Sequence, residues 1–392
     1  MAAFDTPWFN SQERNFSNVL NKSKVAHIVL TAESEDFDDE TIKQWTSEGF
    51  DVQYVPLLKG GNDFIRRVHT VGDNFGVSEQ YAIVAFGDAA SLILEAHTKP
   101  NNPRLVAIVA YYPSAIPAIG TKFPNSVQIL VHLAGGEVDV RKTSEVLGIQ
   151  GKRKSVRKRI DPGAGHGQTL ELAYEAYTYS GVEPGFAEHN LDEYDAVADG
   201  VAFTRSISTV RKDFRIENKI EAVRDRQTQL VKSGKAEKAM DNVHEGAQVI
   251  FGPTLTGGIG TDDIDDFNTN FFTPLPVKSN GNIRLLSRTT GTDRVVDELF
   301  LSFKHSEAVP WLLPGVPPTN LQIEVVIVSI FHVRGSKMET SVLVQAGLID
   351  TKLIPGHMKK KGMPKLPVVG AEGARAILRG NSKKVNDLIP DW

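Results

Sequence analysis

The first half of the chain is punctuated by short apolar runs at residues 25–31 (VAHIVLT), 81–86 (YAIVAF), 105–110 and 127–133. Continuous, bounded by polar or turn residues and too short for buried helices, they read as strands covered on both faces. Residues 50–56 (FDVQYVP) form a further strand pattern. Between these runs, apolar positions recur at helical spacing over 39–48, which ends at Gly49 as a C′ residue, over 64–75 and over 92–97. Strands alternating with helices predict a parallel sheet with helices on both faces. A long amphipathic helix over 190–211 (NLDEYDAVADGVAFTRSISTVR) closes this domain.

The pattern then changes. Residues 215–245 are highly charged, with sparse apolar positions at helical spacing, and read as the opening helices of a second domain. Residues 283–288 and 295–303 alternate apolar with polar, so each is a strand with one face in a core. Residues 321–333 (LQIEVVIVSIFHV) are a long strand pattern, 341–349 follow, and 371–378 are a last helical piece. Residues 262–272 form an amphipathic helix with aspartates in its first turn, where the helix dipole favours them. Gly257-Gly258-Ile259-Gly260 does not follow a strand in a βαβ unit with an acidic residue at the right distance, so it is a tight turn and no dinucleotide site. Trp311-Leu312-Leu313-Pro314-Gly315 is a loop carrying an apolar anchor. A helix lying on a curved antiparallel sheet makes a cone with an apolar interior. The expected division is a lead-in over 1–24, an α/β domain over 25–214, an α+β domain over 215–350 and an extension over 351–392.

Bulk properties narrow the chemistry. A chain of 392 residues is long for one core. The formal charge of −4 gives no general attraction to nucleic acid. With no cysteine, thiolate nucleophiles, disulfides and Cys-ligated metals are impossible, which fits a reducing compartment. No apolar run approaches a bilayer span, and the N-terminus lacks the apolar segment of a signal peptide. The expectation is a cytoplasmic protein with neither membrane nor nucleic-acid partners. The ten His show no metal spacing such as HxxxH, and no metal or cofactor is expected. The basic run 152–159 (KRKSVRKR) reads as a solvated insertion loop, with a localisation signal or anionic-ligand patch as the alternative.

Three blocks of the second half, TLTGGIG, LSRTTGTDRVVDE and WLLPGVPPT, resemble a SnoaL-like (NTF2-like) domain of the form fused behind dienelactone-hydrolase-like domains in fungal proteins. That resemblance implies a conical α+β fold whose cavity binds small, polyketide-like or steroid-like molecules. In the first half, the order of strand, acidic loop, helix ending EGF and strand ending VPL, with LVHLAGGEVDV and GVEPGFAEHNLDEYDAV, resembles a dienelactone hydrolase of the α/β-hydrolase class. It covers most of residues 25–211.

An α/β-hydrolase sets its nucleophile on a sharp strand-to-helix turn between small residues. Here the turn is Ala85-Phe86-Gly87-Asp88-Ala89, and Gly87 holds the nucleophile position with no side chain to attack. Asp88, one residue out of register, is either a replacement nucleophile or a polar residue at a helix N-terminus. Asp139 sits where the resemblance places the triad acid. The resembled family has a His directly before its Gly-Phe, where this chain has Pro184. His189, five residues later, is either a displaced base or a helix-capping or surface residue. The loop after the first strand, AESEDFDDE, would repel a developing oxyanion. These features predict a hydrolase domain with a degenerate triad; the alternative is an active hydrolase of the carboxymethylenebutenolidase type using Asp88, Asp139 and His189.

Polar candidates for the cone are Arg288, Asp297, Glu298, His305, Trp311 and Glu324. Asp297 and Glu298 are strand neighbours, so one faces in and the other out. An inward carboxylate with a raised pKa could act as a general base, as in a polyketide cyclase or isomerase. Alternatively, Arg288 and Asp297 pair structurally across adjacent strands, and Trp311 plugs the cone. The resembled family carries a polar strand after the position of Lys337, whereas here SKM runs directly into ETSVLVQAGL, removing that set of cavity residues. The prediction is a small-molecule-binding protein taking an apolar, aromatic or polyketide-like ligand, with a homodimer through the NTF2-like domain.

Overall fold

A computed structural model describes residues 26–58, 61–76, 79–99, 102–142, 145–146, 149–150, 154–159, 172–217, 219–232, 236–272, 282–335, 337–345 and 385–389. The chain divides into two compact units, Met1–Ile216 and Glu217–Trp392. The 1–24 lead-in and the helical piece expected at 371–378 lie outside the described residues. Among the described residues, no helix is long and apolar enough to cross a membrane.

Unit one runs β1 (His27–Thr31), α1 (Asp39–Ser47), β2 (Asp51–Tyr54), α2 (Gly61–Asn74), β3 (Tyr81–Phe86), α3 (Gly87–Ala96), β4 (Leu105–Tyr111), β5 (Ala115–Ile116), β6 (Gln128–Ala134), β7 (Glu137–Lys142), β8 (Glu145–Val146), β9 (Ile149–Gln150), β10 (Lys154–Arg159), β11 (Glu175–Tyr179) and α4 (Ala196–Phe214). Six strands form one parallel sheet in the order β11-β6-β4-β3-β1-β2. The apolar runs sit where continuous hydrophobicity demands: every residue of β1, β3 and β4 is buried. The two faces feed separate apolar clusters. One is built on Ile28, Leu30, Phe86 and Tyr111 with Phe203 and Ile207 of α4, the other on Val29, Ile83 and Ile108 with Phe64 of α2 and Ile93 of α3.

Three expectations change here. Helix α3 starts at Gly87, directly after β3, rather than at residue 92. The closing helix starts at Ala196 because Asp195 caps it, accepting from the backbone N–H groups of Val197 and Ala198, so residues 190–195 are turn. The basic run is no loop: Lys154–Arg159 is a strand paired antiparallel with β7, in a three-stranded sheet of order β10-β7-β5. Alternating charge across that pair offsets the like-charge cost, with Arg157 Nε 3.4 Å from Asp139 Oδ1 and Nη1 3.6 Å from Glu137 Oε2.

Unit two runs α5 (Ile220–Lys232), α6 (Ala236–Met240), β12 (Val243–Phe251), β13 (Thr256–Ile259), α7 (Thr261–Asn270), β14 (Asn282–Thr290), β15 (Arg294–Lys304), β16 (Gln322–Arg334) and β17 (Lys337–Gln345). They make a six-stranded sheet of order β13-β12-β17-β16-β15-β14, antiparallel except where β12 pairs with β17. Lys337, Met338 and the ETS that follows them lie within β17, which pairs antiparallel with β16 along its length. Strict alternation on β15 and β16 turns Val295, Asp297, Leu301 and Phe303, with Ile323, Val325, Ile327, Ser329 and Phe331, into the interior.

Gly257 and Gly258, expected in a tight turn, lie instead in strand β13, paired with β12, and they work by close approach. A Cβ on Gly257 would collide with the backbone of Val249 on β12, and one on Gly258 would lie 2.6 Å from the Ile264 nitrogen of α7. Gly260, at φ 84°, is the N-cap of α7.

Candidate functional site

In an open parallel sheet, ligands bind beyond the carboxyl ends of the strands where the strand order reverses. That point in unit one lies between β1 and β3, and the sequence has filled it with acid. Gly87 opens α3 at φ 53°, the sharp left-handed turn that glycine adopts without strain. A Cβ at Gly87 would run into the carboxylate of Glu33 from the loop after β1. The same carboxylate accepts the backbone N–H of Asp88. This is the N–H that an acyl-transfer enzyme of this architecture aims at its oxyanion. Glu33 therefore fills the space beside Gly87 and takes up the Asp88 N–H. The Asp88 side chain is exposed.

His189 faces elsewhere. Its Nδ1 lies 2.8 Å from Asp38 Oδ2, its backbone N–H donates to the same oxygen at 2.8 Å, and its Nε2 lies 4.0 Å from Asp199 Oδ2. Asp38 is buried and also caps α1, accepting from the backbone N–H of Glu40 and of Thr41 and from the Thr41 hydroxyl at 2.6 Å. Burial raises the Asp38 pKa, but the Thr41 and His189 hydrogen bonds outweigh it and hold the carboxyl below its usual value. The result is an oriented His–Asp pair whose free nitrogen faces a second buried carboxylate instead of a hydroxyl or thiol. Tyr112 donates to Glu188 at 2.6 Å, and burial with the neighbouring charges of Glu33, Asp38 and Glu193 pushes Glu188 up. Asp139 pairs with Arg157 on the β7–β10 ladder. No described hydrogen bond joins Asp88, Asp139 and His189 to one another.

Unit two has a buried polar layer. Asp297 and Ser329 are cross-strand partners, set between the pair Val295/Phe331 and the pair Leu299/Ile327. Arg288, the β14 partner of Asp297, clamps the carboxylate with Nε at 2.6 Å and Nη2 at 3.1 Å. Arg224 reaches in from α5, donating to Asp297 at 3.2 Å and to the Ser329 hydroxyl at 3.1 Å while covering the Phe331 ring at 4.9 Å. Burial alone would raise Asp297, but the two guanidinium groups hold it below the ordinary carboxylate value. The carboxylate expected to have a raised pKa is instead an ion-pair member whose pKa is lowered. Glu298 and Glu324 are exposed on the opposite face of the sheet, away from the interior.

Elsewhere in unit two are buried polar atoms with no hydrogen-bond partner among the described residues: Gln227 Oε1, His305 Nε2 and Trp311 Nε1. Gln227 lies one turn beyond Arg224 on α5, and His305 Nδ1 is bound to the Thr319 hydroxyl at 3.0 Å. Trp311 packs 5.0 Å from Phe251 and 5.6 Å from Phe272, and its carbonyl accepts from the hydroxyls of Thr254 and Thr256. Phe251 stands in the same row across the sheet as Ser329, Asp297 and Arg288. Sequence reading missed Arg224, Gln227 and Ser329. The spacing of Ile220, Val223, Arg224 and Gln227 along one helix face was the available signal.

No protein-family model and no curated protein matches the chain. Solved structures similar to part of it include one described as a SnoaL-like polyketide cyclase from Jannaschia sp. CCS1. That match has 18% identity and a TM-score of 0.26, covering 33% of this chain and 90% of that one. A second, described as a SnoaL-like polyketide cyclase from Shewanella putrefaciens CN-32, has 8% identity and a TM-score of 0.28, covering 35% and 86%. A third, described as a ketosteroid isomerase from Kribbella flavida, has 11% identity and a TM-score of 0.25, covering 38% and 89%. The likeness carries no activity over to this chain.

Proposed function

We propose that this is a small-molecule-binding protein. Its second unit is a SnoaL-like cone that takes an apolar, aromatic or polyketide-like ligand. Its first unit is a hydrolase-like domain, related to dienelactone hydrolases, that no longer catalyses. The observation that carries the first part is Trp311 Nε1, buried with no hydrogen-bond partner among the described residues inside an apolar cluster with Phe251, Phe267 and Phe303, with Gln227 Oε1 and His305 Nε2 likewise buried and without a described partner in the same unit. Buried polar groups are nearly always satisfied, so an acceptor and a donor left open in an apolar interior suit a ligand of mixed character. Binding is favoured over cyclase or isomerase chemistry because Asp297, the interior carboxylate, is held ionised by Arg288 and Arg224 and makes a weak base. The reading of unit one rests on Glu33 occupying the elbow at Gly87.

The test pairs two assays on the full-length protein. Hydroxylated polycyclic aromatic compounds should quench Trp311 fluorescence saturably, with the signal lost in Trp311→Phe. Activated esters and dienelactone should be hydrolysed no faster than in buffer. Ester turnover that disappears in His189→Ala would overturn the non-catalytic reading, and no saturable quenching by any such compound would overturn the binding reading.

A further inference from the structure

After a segment outside the described residues, the chain returns to unit two as a short strap, residues 385–389, and lays it on the free edge of β13. Among the described residues, strand β13 is the outermost of its sheet and pairs with β12 alone. Asn386 supplies the missing partner. Its backbone N–H donates to the Leu255 carbonyl at 2.9 Å, its side-chain oxygen accepts the Gly257 N–H at 2.8 Å, and its side-chain nitrogen donates to the Gly257 carbonyl at 2.7 Å. One buried amide thus imitates a peptide unit and satisfies an edge that would otherwise be open. Asn386 holds φ 71°, a left-handed conformation that Asn tolerates better than other side chains. Three residues on, Ile389 is buried in the apolar cluster that contains Phe251, Trp311 and Leu312.

The attachment is narrow. Among the described residues of the strap only Asn386 and Ile389 are buried, with Val385 and Leu388 half-buried and Asp387 exposed, and the Ile389 N–H turns back to the Asn386 carbonyl. Segments with few buried contacts open locally far more readily than the fold around them. The cluster that Ile389 enters also contains Trp311, whose indole N–H has no hydrogen-bond partner among the described residues.

We infer that residues 385–389 are a removable wall of the second unit's apolar interior, latched by Asn386 and Ile389, whose release admits a ligand to the aromatic cluster around Trp311. This rests on the small-molecule reading for what enters, and not for whether the wall moves. The strap therefore competes with the ligand's apolar end for the space beside Trp311, and ligands large enough to need that space bind only to the released form.

Two readouts separate the two claims. Acrylamide quenching of Trp311, taken as the difference from Trp311→Phe in each background, reports the wall without any ligand. It should rise severalfold in Asn386→Ala and in a chain ending at Lys384. Stopped-flow binding of the dye anilinonaphthalene sulfonate reports entry and should be severalfold faster in both variants. Unchanged Trp311 quenching in both would overturn the inference, whatever the dye does. Loss of the cooperative melting transition of unit two in both variants would overturn it as well, since the strap would then be a folding staple. Raised quenching with no dye binding would uphold the movable wall and overturn the small-molecule reading alone.

Discussion

Asp297 is the residue on which the interior of unit two depends. Its carboxylate accepts three guanidinium bonds, and the Arg224 side chain that makes one of them is only 15% exposed. Removing one partner of a buried pair leaves the other charged, desolvated and unpaired, at a cost of about 3–5 kcal/mol. Asp297→Asn should therefore lower the denaturant midpoint of unit two by that order. A shift no larger than the ~1 kcal/mol of a surface pair would mean that water reaches the layer. The expectation that this pair forms across neighbouring strands was legible, because strand register follows from alternation. Arg224 was not, because nothing local says which helix faces Asp297.

At the scale of the element, the turn from β3 into α3 is a sharp left-handed one at Gly87, and Glu33 fills the space beside it. Gly87→Ser would place an L-residue in left-handed backbone, costing ~1–2 kcal/mol, and drive its side chain against the Glu33 carboxylate. The variant should melt lower than the parent and hydrolyse no activated ester. Adding Glu33→Ala should recover part of the lost melting temperature by clearing the space. Turnover by the single variant would show that Glu33 swings away readily and that the elbow is not blocked. The small residues around the elbow and the acidic loop were visible in the sequence. That a carboxylate of the loop caps the Asp88 N–H is a through-space fact.

For the whole molecule, the two units should respond differently to acid. Burial pushes His97 down to about 4 and His132 down to about 3, so both are neutral in folded unit one. In the unfolded chain they take up protons near 6.5, so their stabilising contribution is full above that pH and is lost as pH falls from about 6.5 towards 4. In unit two, burial lowers His305 as well, so its contribution is also lost as pH falls below 6.5, whereas the contribution of the depressed Asp297 is full above 3.8 and is lost only as pH falls further. Scanning calorimetry should thus resolve two transitions, of which that of unit one, with His69, His97 and His132 all held down, moves further on acidification, and His97→Gln should flatten its slope. Equal shifts of the two transitions above pH 5 would contradict this assignment.

Periodicity alone determined the parallel sheet of unit one and the inward faces of β15 and β16. Each depends on neighbours in sequence, and burial selects for repeats of two or 3.6 residues. Composition removed thiol chemistry, and Gly87 and Pro184 removed a nucleophile and a base at the places where the resemblance puts them. The tertiary structure alone decided which distant groups meet: His189 on Asp38, Arg157 on Asp139, Arg224 on Asp297, Asn386 on Gly257. Those pairings link residues from 18 to 151 positions apart. They are chosen by packing, where the low-dielectric interior makes an unpaired charge or amide costly enough to select its partner, and no local pattern along the chain records that choice.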